Sequence, residues 1–155
     1  MIKCLHLTSI AGALAVSLAA ATAKVTGSQE LPGGGLFAVD GGTLRVQFWS
    51  AEIVRVTYAP SAELPVLKSL SVVSSPETVR LTWRQNDEAF SLGSSDLQVK
   101  VDKQTGAVSF LGHDGHVLLR ETAEGRKMEP ATVAGAAVNS CAQSFELSPD
   151  EGILS

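Results

Sequence analysis

Aromatic side chains are scarce in this chain, at 5%: Trp49, Trp83, Tyr58 and five phenylalanines. A serial stacking platform of the kind that holds bases or sugars has little to be built from. Basic clusters are lacking too. Twelve Lys and Arg stand against 16 Asp and Glu, for a formal net charge of −4. That balance excludes the electrostatic footprint of a nucleic-acid binder or of a protein held on an anionic membrane. After residue 23 no stretch keeps a 3.6-residue apolar period for three turns, so no helical layer is predicted, and no internal repeat is visible. Cysteine is limited to Cys4 and Cys141.

The first 23 residues read as a leader. Lys3 gives a positive start, Leu5 to Ala20 is apolar and uncharged, and Ala21-Thr22-Ala23 fits a small-x-small cleavage site. The pattern predicts a secretory signal over residues 1–23 and a secreted or periplasmic mature chain. A transmembrane anchor is the competing reading. The run falls short of the ~20 apolar residues a span needs and is interrupted by Thr8, Ser9, Gly12 and Ser17. Cleavage would remove Cys4, leaving Cys141 without an internal disulfide partner, and the expectation for it is a buried, inert thiol.

What is present is strand pattern. From Asp96 to Glu121, Leu97, Val99 and Val101 alternate with Gln98, Lys100 and Asp102, the period of two of a half-buried strand. Asp102 to Gly106 supplies a turn into Ala107–Leu111. Gly112-His113-Asp114-Gly115 supplies another into Val117–Leu119. Earlier, residues 24–35 read as a polar, Gly-rich and mobile lead-in. Leu36–Val39 then turns through Asp40-Gly41-Gly42 into Thr43–Trp49, and Val54–Tyr58 makes a second hairpin with that strand. Pro60 and Pro65 mark a loop. Weaker strands are expected at Ser69–Val73, Thr78–Trp83 and Ala89–Leu92. Thr122–Met128 reads as a loop or one helical turn, Pro130–Asn139 has no clear type, and Cys141–Leu147 reads as a last strand. Many short strands with frequent turn signals predict an all-β antiparallel sandwich or barrel over residues 36–155.

Taken in order, several runs resemble one family. They are Arg45-Val46-Gln47-Phe48, Ile53-Val54-Arg55-Val56-Thr57-Tyr58, Val99-Lys100-Val101-Asp102, Thr105-Gly106-Ala107-Val108-Ser109-Phe110, Asp114-Gly115, Leu118-Leu119-Arg120-Glu121 and Gln143-Ser144-Phe145-Glu146-Leu147-Ser148-Pro149-Asp150-Glu151-Gly152. The set resembles the N-terminal region of glycoside hydrolase family 31, which contains α-glucosidases and α-xylosidases. The resemblance covers about Leu36 to Gly152. It implies a galactose-mutarotase-like β-sandwich ahead of a catalytic (β/α)8 barrel, which would be its partner along with an α-linked oligosaccharide. In that family the Glu-Gly turn runs on into an aromatic-Gly-x-Gly segment, whereas Ile153-Leu154-Ser155 follows here, so the sandwich is expected to be incomplete at its C-terminal end. The family's nucleophile and acid/base are aspartates on the barrel, and no position here corresponds to either.

The residues themselves offer little chemistry. Retaining glycoside hydrolysis needs two carboxyl groups about 5 Å apart. Asp96 and Asp102 share a strand face but lie six residues apart, roughly 20 Å at 3.3 Å each. Asp87, Glu88, Asp114, Glu121, Asp150 and Glu151 read as solvated carboxylates, so no catalytic residue is assigned. His113 and His116 flank Asp114 in a tight turn with no third ligand nearby in sequence, so neither a metal site nor a cofactor is assigned. Trp49 and Trp83 are the candidates for sugar stacking, against the simpler reading of tryptophans packed on the sandwich rim. Arg45 and Arg55 share a polar strand face. That face is either plain surface or a contact with the barrel. The reading is a secreted, non-catalytic support domain, with a free-standing carbohydrate-binding module as the alternative.

Overall fold

The computed structural model describes residues 24–64, 72 and 74–147. The expected signal over residues 1–23 lies outside them, as does all of the Ser69–Val73 strand except Val72. Ten strands and no helix are present among the described residues. No helix there is long and apolar enough to cross a membrane.

Strands β1 (Val25–Leu31), β2 (Gly34–Val39), β3 (Gly42–Phe48) and β4 (Val54–Ala59) form one antiparallel sheet in that order. Strands β5 (Thr82–Gln85), β6 (Ala89–Gly93), β7 (Leu97–Asp102), β8 (Val108–Gly112), β9 (Val117–Val133) and β10 (Ala136–Glu146) form a second, ordered β10-β9-β8-β7-β6-β5. Alternation decides what meets between them. Phe37 and Val39 of β2, with Leu44, Val46 and Phe48 of β3, face Phe90, Leu92, Val99, Val101 and Val108 of the second sheet in one buried cluster. Each such side chain contributes about 1.5–3 kcal/mol by leaving water, which is why the period of two fixes which face points inward. The fold is thus an all-β antiparallel sandwich, as predicted.

The turns follow the local residues. Asp102 Oδ1 accepts hydrogen bonds from the Gln104 and Thr105 amides at 2.9 and 2.8 Å, holding the β7–β8 turn as an Asx cap. The Asp102 carboxylate is therefore a structural group. Between β5 and β6, Asn86 Oδ1 caps the Glu88 and Ala89 amides in the same way. The sheets are tied at their ends by Val25 N–H donating to the Lys103 carbonyl at 2.9 Å and Ser94 Oγ donating to the Ala51 carbonyl at 2.6 Å.

Three expectations need correction. Residues 24–35 are not a lead-in: Val25–Leu31 pairs with β2 along its length and Gly34–Gly35 begin β2. The reading failed because a solvated edge strand carries no apolar alternation. Thr122–Met128 is neither loop nor helical turn, since β9 runs through it for 17 residues. Cys141 is exposed, because it lies on β10, whose side chains are almost all open to solvent.

Beyond Arg120, β9 leaves β8. Their pairing covers Val117, Leu119 and Arg120 only, and from there β9 and β10 continue as a two-stranded ribbon. At its base β9 bulges: Phe145 pairs with Glu121 but Gln143 pairs with Arg126. Gly125 makes that bulge possible, since a Cβ there would lie 2.5 Å from the Ser144 carbonyl oxygen. The tip is a two-residue turn in which both Ala134 (φ 49°) and Gly135 (φ 81°) are left-handed. At Ala134 this costs about 1 kcal/mol.

Candidate functional site

Of the residues singled out for sugar stacking, Trp83 is a packing residue. Its ring lies parallel to Phe37, centroids 5.7 Å apart and planes 9° apart, and is tilted against Phe90 at 6.1 Å. Gly35 makes room for it: a Cβ at that position would sit 2.5 Å from the indole Cζ3. The indole is partly buried against the core, and its face towards Phe37 is covered. Trp49 is placed differently. It lies just past β3, where its amide donates to the Ile53 carbonyl at 2.8 Å and its carbonyl accepts from the Glu77 amide at 2.9 Å. The Arg55 guanidinium stands 6.0 Å from the ring centroid, at the outer range of a cation–π contact. The indole Nε1 is buried with no hydrogen-bond partner among the described residues. A groove of about 730 Å³ opens beside it, lined by Trp49, Ser50, Ile53, Arg55, Ser74 and Glu77 among others.

Arg45 and Arg55 do share a face. Arg45 is opposite Thr57 and Gln47 is opposite Arg55, so the four side chains stand together on the outer side of the first sheet. Arg55 is exposed and Arg45 half-buried.

The largest departure from the sequence reading is Glu121, expected in solvent and found 2% exposed. Its carboxylate accepts the Val108 amide at 3.0 Å, the Gln143 side-chain amide at 3.1 Å and the Arg126 guanidinium. Arg126 in turn stands 5.3 Å from the centroid of Tyr58, whose hydroxyl donates to the Gly41 carbonyl at 3.0 Å. This chain of contacts runs from the ribbon base on β9 to β4 of the other sheet. Parity could have found it: Glu121 stands two residues after Leu119, on the same face of β9. What β8 lacks there in backbone pairing, the Glu121 side chain supplies.

His116 and Asp114 pair with each other across the β8–β9 turn, through Nδ1 and through the His116 amide at 3.2 Å. The side-chain hydrogen bond from His116 holds the Asp114 carboxyl below its ordinary value of 3.8. Among the described residues no group of three or more His, Cys, Asp or Glu side chains is arranged to hold a metal ion.

With this geometry in place, comparison with known proteins decides the family. The model of the glycosyl hydrolase 31 N-terminal galactose mutarotase-like domain matches residues 43–154. The chain belongs to that domain family. Alpha-glucosidase 2 of Bacillus thermoamyloliquefaciens is 29% identical over 99 residues, spanning 64% of this chain and 12% of that protein. Among solved structures, a GH31 alpha-xylosidase from Xanthomonas citri superposes with a TM-score of 0.63 at 28% identity, over 71% of this chain and 12% of its own. A cycloalternan-forming enzyme from Listeria monocytogenes, solved with a pentasaccharide substrate, shares the fold at a TM-score of 0.53 and 15% identity, over 67% of this chain and 10% of its own. The chain therefore spans about an eighth or less of the length of these relatives. The GH31 domain corresponds to the sandwich of β3 through β10, with β1 and β2 extending the first sheet ahead of the matched residues.

Proposed function

We propose that this GH31 domain is the exported, non-catalytic support of an α-glycosidase acting on α-glucosides or α-xylosides, packed against a catalytic barrel. The observation that carries the reading is the match of residues 43–154 to the N-terminal domain of a family whose relatives are matched over only 12% of their own length. The disposition of Glu121 supports it. This carboxylate is engaged by three donors in a structural junction and stands apart from any groove described above. The polar face of Arg45, Gln47, Arg55 and Thr57 is of the kind that meets a neighbouring domain, since interdomain contacts tolerate charge better than permanent interfaces do.

The test is turnover of aryl α-glucosides and α-xylosides by the purified chain. The expected result is no release above buffer, and hydrolysis at enzyme-like rates contradicts the reading. A second reading, a carbohydrate-binding module, is favoured by the unpartnered indole N–H of Trp49 beside its groove. Saturable quenching of tryptophan fluorescence by α-gluco-oligosaccharides, lost in Trp49→Ala, would establish it.

A further inference from the structure

The edges of the two sheets are not equally guarded. An unpaired strand edge is a template for another strand, and proteins blunt it with charge, proline, bulges or shortness. β1 bulges at Val25–Gly27, carries Glu30 and is followed by Pro32. β4 carries Arg55 and ends at Pro60. β5 has only 4 residues, one of them Arg84. Along the ribbon, β9 bears Lys127, Glu129 and Pro130. β10 is the least guarded: of its 11 residues only the last, Glu146, is charged, and it holds no proline. Among the described residues nothing pairs with its outer side.

We propose that the open edge of β10 pairs, antiparallel and about a two-fold axis, with the same edge of a second copy of this chain. Self-complementarity selects that occupant. All 11 residues overlap only when Cys141, the middle one, faces its own counterpart. In that register Asn139 meets the second copy's Gln143, amide to amide, and Phe145 meets Ala137, large against small. Glu146 meets Ala136, so no like charges oppose each other although the chain as a whole is acidic. The base of the ribbon is already held by the Glu121–Arg126 ion pair, so the edge is presented by a fixed element. Val138 and the Cys141 side chain are exposed and free to pack across the pair. The pairing does not depend on the glycosidase reading.

Sedimentation velocity of the full chain should show a dimer at micromolar concentration. Ser140→Lys and Ala142→Lys, which place a cation near the axis, should each weaken it about tenfold or more with an unchanged far-ultraviolet circular dichroism spectrum. In Cys4→Ser protein, diamide should join Cys141 to its counterpart, the oxidant taking up two electrons and two protons as the S–S bond forms. Moving the thiol by Cys141→Ser with Asn139→Cys separates the two sulfurs by four strand positions, ~13 Å, and should abolish the cross-link. A monomer up to about 100 µM, a dimer indifferent to both lysines, or equal cross-linking from position 139 would each overturn the proposal.

Discussion

The sandwich body and the β9–β10 ribbon are made of the same strand type by opposite means. In the body, side chains at every second position lose their water, and Phe37, Leu44, Val46, Phe48, Leu92, Val99 and Val101 are all 0% exposed. In the ribbon beyond Arg126, backbone pairing continues while almost every side chain stays in solvent, with Val133 62% and Val138 39% exposed. The body is held by packing and needs its residues to be apolar. The ribbon is held by its ladder and by one polar junction at its base, so its side chains need not be apolar. Stability therefore resides in one region and the open pairing surface in the other.

The sharpest way to break this comparison is a pair of truncations. Phe37→Ala removes a ring stacked on Trp83 and tilted against Phe90, and should cost about 3–5 kcal/mol. Val138→Ala on the ribbon should stay within about 0.5 kcal/mol. Denaturant unfolding of both variants measures the contrast, and comparable losses would erase it.

Next in size is the junction. Arg126→Leu strands the buried Glu121 carboxylate and should cost about 3 kcal/mol, whereas Arg126→Leu with Glu121→Gln should recover a substantial part, because the neutral amide's oxygen can still accept from Val108 while its NH2 donates to a flipped Gln143 amide. A double-mutant cycle by urea unfolding gives the coupling. A coupling near zero would mean that the ion pair does not hold the ribbon base.

Legibility in the sequence divides along the same line. β3, β4, β7 and the hairpin turns were readable because Leu44, Val46 and Phe48, or Leu97, Val99 and Val101, alternate with polar residues, and that alternation is the imprint of one buried face. β1 and the ribbon bury neither face, so Gly27, Ser28, Gln29 and the small residues after Pro130 carry no such imprint. Their strands exist through pairing partners elsewhere in the chain. Glu121 was misread since a carboxylate normally marks solvent, and only the three donors that the fold gathers make its burial tolerable. Trp49 and Trp83 looked alike as residue types. Which one opens on a groove and which stacks in the core depended on Gly35 and Phe37, 48 and 46 residues before Trp83 along the chain and adjacent to it only after folding.

A smaller effect sits at the β8–β9 turn, where the ribbon strand begins. Because the folded Asp114 carboxyl titrates below 3.8, its contribution to stability is complete above that value and is lost as pH falls from 3.8 through the lower folded value. Carbon-detected NMR titration should place Asp114 below 3.8, and His116→Ala should return it to the ordinary range. No change on that substitution would remove His116 as the cause.

The division between body and ribbon is tested most directly by hydrogen exchange resolved along the chain at a dilution where any association is dissolved. Amides of Phe37–Phe48 and Phe90–Val101 should exchange only through global unfolding, while those of Lys127–Gln143 should exchange faster through opening of the ribbon alone. Equal protection of both segments under those conditions would contradict the account.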